Sequence, residues 1–361
     1  MSEFTLTIAE RIGRLQGPIL VLGGSGFVGA NLARMLLSHR SDVYATASRL
    51  PAWRLEDLPP VNVRQVDLLV DPNLDALLDD IKPRTVFNCV AYGAYSFETD
   101  PALIYQTNFN LTAKLLRRFV DRQIACYVHA GTSSEYGDNA SGPREDAANE
   151  PNSDYAVSKV AAANLIYFYG RKKHFPCANL RLYSVYGPLE DSSRLIPAVI
   201  RNGLAGTYPP LVDPNISRDF IYVDDVSEAF VDTALNLREE FYGESFNIGS
   251  GRKTTIGDIA KIAQRTFNVS GEPAFTMTAR SWDVQDWFAN IDKARSVLDW
   301  KPIVSFDDGL SRTAQWYRDL PDKERYERSS KRFGLDTKHS VSAIIACYKD
   351  GQAIPIMYQR L

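Results

Sequence analysis

The chain has 361 residues, 45% hydrophobic and 24% charged, enough to bury a full core as one large domain or two modest ones. A formal net charge of −3 gives no basic footprint for nucleic acid, and the longest apolar runs have strand length, far short of a membrane span. Cys89, Cys126, Cys177 and Cys347 are scattered without metal-ligand spacing, so the expectation is no metal site and reduced thiols in the cytoplasm.

Residues 2–16 carry Glu3 and Glu10 and no long apolar run, which reads as a short amphipathic helix rather than a signal peptide. An apolar strand-type stretch at 18–22 leads into Gly23-Gly-Ser-Gly26-Phe-Val-Gly29, and residues 27–37 repeat apolar positions at helical spacing. Glycine lacks a Cβ, so such a run between strand and helix allows a tight turn and lets backbone N–H groups approach a pyrophosphate at the helix N-terminus. Taken alone, three glycines also fit a plain structural turn. Strand-like segments at 42–47, 61–67, 85–90, 125–130 and 178–183 alternate with helical stretches, which implies a parallel sheet with helices on both faces.

The second strand ends Tyr44-Ala-Thr-Ala-Ser48-Arg49. A site selecting NAD usually places Asp or Glu there for the adenine ribose hydroxyls. Ser48 and Arg49 instead offer a hydroxyl and a guanidinium to a 2′-phosphate, so NADP is expected over NAD. A solvated loop charge is the plain alternative for Arg49. Thr132-Ser133-Ser134 follows the fifth strand, and Tyr155-Ala-Val-Ser-Lys159 puts Tyr155 and Lys159 on one helix face. Bringing a phenol from a pKa of about 10 to near 7 requires ~4 kcal/mol of preferential stabilisation of the phenolate. A nearby ammonium and an oxidised nicotinamide can supply such a field. After Pro188 the pattern loosens into turns at 206–214, then a helix at 255–267 with Ile256, Ile259, Ala260, Ala263 and Phe267 on one face.

With these motifs in order, the chain resembles the extended short-chain dehydrogenase/reductase family of nucleotide-sugar epimerases, dehydratases and reductases, from about residue 17 to about residue 317. Further motifs add to it: Asp67-Leu68, Asn108, Leu180-Arg-Leu-Tyr-Ser-Val-Tyr-Gly-Pro188, Arg218-Asp-Phe-Ile-Tyr-Val-Asp-Asp225 and Phe246-Asn-Ile-Gly-Ser-Gly251. The resemblance implies an α/β fold: a Rossmann-type doubly wound parallel sheet at 17–187 and a smaller C-terminal α/β substrate-binding domain at 188–322, with returns to the first near 218–248 and 286–299. It implies that Thr132 orients the reacting hydroxyl or carbonyl, Tyr155 is the acid/base and Lys159 holds the nicotinamide ribose. Cofactor contacts would come from Gly23, Ser25, Gly26, Phe27, Val28, Gly29, Ser48, Arg49, Asp67, Leu68, Ala91, Asn108, Tyr183 and Val185 as well. For a nucleotide-diphosphate sugar the implied contacts are Ser133, Ser134, Tyr92, Arg194, Arg218 and Asp283. Two departures bear on the last group: Ser184 replaces an Asn, and Trp282 replaces the Gly in the Arg280-to-Asp283 run.

Dehydratases of this family carry an Asp-Glu or Ser-Glu pair directly after the Thr. Here Ser133-Ser134 stand there, and Glu135 is displaced by one, which on an extended segment points it the other way unless a bulge re-aims it. The expected reaction is therefore reduction of a 4-keto(-6-deoxy) sugar nucleotide at C4. The alternatives are 4-epimerisation with retained NAD(P), 4,6-dehydration, and a non-catalytic NADP-binding scaffold, against which the intact Thr132, Tyr155 and Lys159 argue. The resemblance further implies a homodimer through helices at 108–120 and 155–170. Residues 339–361 resemble the opening strand, turn and helix of a family 2 glycosyltransferase, with the highly charged 323–338 as linker to a fused module. An ordinary C-terminal strand and helix is the other reading.

Overall fold

The computed structural model describes residues 6–95, 98–278 and 284–330. Its strands are β1 (Ile19–Leu22), β2 (Val43–Ala47), β3 (Val63–Gln65), β4 (Thr85–Asn88), β5 (Cys126–Thr132), β6 (Cys177–Leu182), β7 (Ser184–Tyr186), β8 (Ser217–Arg218), β9 (Phe220–Tyr222), β10 (Ser245–Ile248) and β11 (Thr254–Thr255). The helices are α1 (Ile8–Arg14), α2 (Phe27–Leu37), α3 (Asp71–Ile81), α4 (Pro101–Tyr105), α5 (Leu111–Asp121), α6 (Asp154–Lys173), α7 (Leu195–Leu204), α8 (Val223–Asn236), α9 (Ile256–Phe267), α10 (Asp292–Leu298), α11 (Phe306–Asp319) and α12 (Lys323–Ser330).

Seven strands form one parallel sheet in the order β10-β6-β5-β4-β1-β2-β3. Every residue of β1 is buried because helices cover both faces, and its side chains divide by the period of two. Ile19 and Val21 join Ile12, Leu36, Phe230 and Leu298 from α1, α2, α8 and α10 on one side. Leu20 and Leu22 join Leu78, Leu115, Phe119 and Ile166 from α3, α5 and α6 on the other. The strand order reverses where β1 lies between β4 and β2, and there a crevice opens at the carboxyl ends of the strands.

The N-terminal helix lies within the expected 2–16. Thr7 and Glu10 cap it reciprocally, and Arg11 fastens it to α8 through Asp232 at 2.6 and 2.7 Å and Glu228 at 2.5 Å. A smaller lobe is built on α7, α9 and α11, whose Ile200, Ile259 and Leu310 share a core with Leu211 and Phe220. The two lobes are joined by buried Asp219, which accepts from Ser250 N and Oγ at 2.6 Å, Gly251 N at 2.9 Å and Ala289 N at 3.1 Å. This explains the acid in the Arg218-Asp-Phe motif as a structural anchor.

The start of the expected linker is instead a docked helix. In α12, Tyr326 is buried against Trp53, Trp316 and Tyr317, with ring centroids 5.8, 5.2 and 6.1 Å away, and Arg325 binds both oxygens of Glu56. A charged composition did not prevent docking because one aromatic side chain supplies the buried contact. The rest of the linker and the glycosyltransferase-like 339–361 fall outside the described residues. No helix among the described residues is long and apolar enough to cross a membrane.

Candidate active site

A cleft of about 1290 Å³ runs along the carboxyl ends of the strands and is walled on its far side by the smaller lobe. At one end lies the glycine turn. Gly23 has φ of 72°, and a Cβ there would stand 2.8 Å from the Cys89 carbonyl carbon and the Val90 nitrogen. A Cβ on Gly29 would stand 2.4 Å from the Gly23 oxygen, so Gly29 serves the packing of α2 against the turn rather than lining the cleft. Gly26 caps α2 without a side-chain hydrogen bond, leaving the first N–H groups of the helix facing the cleft. This uncapped turn fits a diphosphate.

Gly23, Ser25, Gly26, Phe27, Val28, Ser48, Asp67, Leu68, Ala91, Tyr183 and Val185 all line the cleft. Arg49 does not; it is exposed on the loop after β2, and the cation that lines this end is Arg54, from the 3₁₀ turn Trp53–Leu55. Arg54 lies in a segment without periodicity, and nothing in the sequence distinguished it from Arg49. Thr46 was also missed; its Oγ1 accepts the Gly23 N–H at 3.0 Å and steadies the turn. Asn108 sits behind the cleft wall in the π-helical turn Gln106–Asn110. Its side chain accepts from Tyr92 N at 2.9 Å and donates to Tyr92 O at 2.7 Å and Ser158 Oγ at 2.9 Å. Asn108 thus braces the loop after β4 against α6 rather than touching a ligand.

Thr132, Tyr155 and Lys159 come together at the centre. Thr132 ends β5, while Ser153 caps α6 and sets Tyr155 and Lys159 one turn apart on its cleft side. Tyr155 and Thr132 both line the cleft, and the Thr132 side chain acts on the Tyr155 phenol. Burial pushes the Tyr155 phenol up to about 12, against the Thr132 hydrogen bond, which favours the phenolate. Burial thus favours the uncharged phenol at this position. Lys159 is buried, with its Nζ donating to the Ala130 carbonyl at 2.7 Å; burial lowers it to about 8, opposed by Glu135 and Cys89.

Ser133 and Ser134 line the cleft beside this trio, but Glu135 does not. It is fully buried, accepting from Thr132 N at 3.0 Å, Arg181 Nε at 2.7 Å and Asn179 Nδ2 at 3.2 and 3.3 Å. Thr132 Oγ1 in turn accepts from Ser134 N at 3.1 Å, so Thr132 and Glu135 cap the 3₁₀ turn Ser133–Tyr136 reciprocally. Burial works against the Arg181 charge, but Glu135 and Tyr136 outweigh it and hold the guanidinium above its ordinary value. The spacing Thr132-x-x-Glu135 was the available signal for this cap. No bulge re-aims the carboxylate.

Toward the smaller lobe the cleft is lined by Tyr92, Arg194 and Arg218. Arg194 lies 4.9 Å over the Tyr95 ring, and Arg218 lies 5.0 Å over Trp287 while donating to the Ser217 and Val284 carbonyls at 2.7 and 3.1 Å. Asp283, with Arg280 and Trp282, falls outside the described residues. Three carboxyl groups in the lining were not anticipated: Glu98, whose Oε2 accepts from Gly93 N at 2.8 Å and shapes the loop after β4, Asp154, which accepts from the Tyr105 hydroxyl at 2.9 Å, and Glu190.

Comparison with known proteins agrees with this fold. The model of the NAD dependent epimerase/dehydratase family matches residues 19–249. A trifunctional UDP-glucose 4,6-dehydratase/UDP-4-keto-6-deoxy-D-glucose 3,5-epimerase/UDP-4-keto-L-rhamnose-reductase of Arabidopsis thaliana is 28% identical over 84% of this chain. The chain spans about half of that protein's length, 47%. A UDP-glucose 4-epimerase of Mycolicibacterium smegmatis is 27% identical over 83% of this chain and 98% of its own. Among solved structures, the UDP-glucuronic acid 4-epimerase of Bacillus cereus, in complex with UDP-glucuronic acid and NAD, superposes with a TM-score of 0.73 at 26% identity, covering 83% of this chain and 98% of that one.

Proposed function

Because the chain belongs to the NAD-dependent epimerase/dehydratase family, we propose that it is an NADP-dependent reductase of a 4-keto(-6-deoxy) sugar nucleotide. The observation that supports this best is that Tyr155 and Thr132 share the cleft wall while Glu135 is removed from it into a buried ion pair with Arg181. Carbonyl reduction at C4 needs one proton donor at the new hydroxyl. Elimination of the C6 hydroxyl needs a further carboxylate near C5, and Ser133 and Ser134 stand where it would be. The bound dinucleotide supplies the hydride. Thr132 orients the ketone oxygen, Tyr155 releases its proton to that oxygen as the carbon is reduced, and Lys159 holds the ribose and stabilises the phenolate left behind. Arg194 and Arg218 face the sugar nucleotide's diphosphate.

NADP is favoured because β2 is followed by Ser48 rather than a carboxylate and Arg54 lines the same cleft. The second reading is a 4-epimerase that retains its dinucleotide, which the similarity to the M. smegmatis and B. cereus enzymes favours. Denaturing freshly purified protein and identifying the released dinucleotide by mass separates the two. The expected result is little bound cofactor and NADPH binding tighter than NADH by about tenfold or more, the scale of one charge-assisted hydrogen bond. Near-stoichiometric NADP(+) would turn the reading to an epimerase, and stoichiometric NAD(+) would overturn the NADP assignment as well.

A homodimer is part of the same proposal. Helix α6 presents apolar residues both inward and outward: Ala162 and Ile166 enter the core, while Val157, Tyr167 and Phe168 stay 40, 52 and 46% exposed. Phe168→Glu is expected to convert the dimer to a folded monomer, read by sedimentation equilibrium. A dimer unchanged by the substitution would place the interface elsewhere.

A further inference from the structure

One carboxyl group in the cleft wall is not used by the chemistry above. Glu190 is 7% exposed, lines the cleft, and its Oε2 is buried without a hydrogen-bond partner. An unsatisfied buried carboxylate oxygen is destabilising, which favours the neutral acid, while the rest of the side chain lines the cleft. The segment bearing Glu190 is pinned over the start of α2. Asn31 Nδ2 donates to the Pro188 carbonyl at 3.0 Å and Arg54 Nε to the Leu189 carbonyl at 2.8 Å, while Arg54 Nη1 reaches the Ser25 carbonyl at 3.4 Å. From behind, the Tyr326 hydroxyl donates to the Glu190 carbonyl at 2.7 Å. Residues 188–190 are thereby held against the turn that fits a diphosphate.

We propose that Glu190, as a neutral acid, donates a hydrogen bond to the diphosphate of the bound dinucleotide, so that cofactor affinity falls as alkali ionises the group. The proposal rests on the dinucleotide reading of the cleft. Burial raises the Glu190 carboxyl to about 8; Arg194 and Arg54 oppose the rise and Asp191 adds to it. The other groups facing it are the phenols of Tyr186 and Tyr326, both raised well above their ordinary value by burial. A neutral carboxyl can donate to a phosphate oxygen, whereas a carboxylate can only accept and is repelled by the two phosphates. Binding an anion favours the protonated form. Affinity is therefore full below the acid's pKa and is lost as pH rises through it.

The test is titration of NADPH into the full chain, followed by nicotinamide fluorescence, from about pH 6.5 to about pH 9.5, for wild type and Glu190→Gln. Lys159 titrates in the same window, so the quantity read is the ratio of the two dissociation constants, in which its contribution cancels. An amide donates at every pH, so the wild-type-to-variant ratio is expected to rise about tenfold between pH 7 and pH 9. Glu190→Ala should bind more weakly than Glu190→Gln throughout and lack the extra pH step. A flat ratio with intact NADPH binding overturns the role of Glu190 alone. If UDP binding carries the step instead, the group serves the sugar nucleotide and the assignment is overturned. Failure of both proteins to bind NADPH or NADH at any pH overturns the dinucleotide reading itself.

Discussion

Tyr155→Phe is expected to lower turnover by about 10²–10⁴-fold, the range associated with a positioned acid or base, while NADPH affinity changes little. In the proposed reaction the phenol is the proton source, and a phenyl ring fills the same space without a transferable proton. Steady-state oxidation of NADPH in the presence of a 4-keto sugar nucleotide, together with a separate cofactor titration, reads both quantities. A variant that keeps more than about a tenth of wild-type turnover would mean that the proton comes from elsewhere. A scaffold protein would keep whatever role it has in this variant, so the experiment also separates the enzyme from the scaffold reading.

The second large effect is on stability. Glu135→Ala strips the carboxylate from the buried guanidinium of Arg181 and removes the acceptor for Thr132 N. Breaking a buried pair by removing one partner typically costs about 3–5 kcal/mol, and denaturant unfolding of the variant should show a loss of that order. An unfolding curve like that of wild type would overturn the structural role given to Glu135.

Much of this architecture was legible in the sequence because its signals are local. Glycine spacing, strand alternation and the four-residue step from Tyr155 to Lys159 each depend on a few neighbouring residues, and the structure places the glycine turn, Thr132, Tyr155 and Lys159 on one cleft. Functions that depend on long-range placement were less legible. Arg49 and Arg54 are both arginines after the second strand, and only the 3₁₀ turn decides that Arg54 faces the cleft. Asn108 reads equally well as a ligand contact or a brace until Ser158 and Tyr92 are seen to surround it. Glu190 follows a recognisable motif, but its burial depends on Tyr326, 136 residues farther along. Glu135 is the instructive case between these. Its alternation argument rested on an extended backbone, whereas a capping-box spacing was present and governs the turn.

Helix α12 has a mechanical consequence. Arg325 grips Glu56 in the dinucleotide-binding lobe, Tyr326 is wedged between Trp53 of that lobe and Trp316 and Tyr317 of the other, and Ser192 Oγ donates to the Glu327 carbonyl at 3.4 Å. A rod attached on both sides of a gap acts as a hinge pin: rotating one lobe away from the other would shear Tyr326 from one set of rings. Widening is then left to wall segments that α12 does not hold, such as residues 209–212 and 277–278. The axis along which the cleft can widen is thus set by a helix that lines none of it.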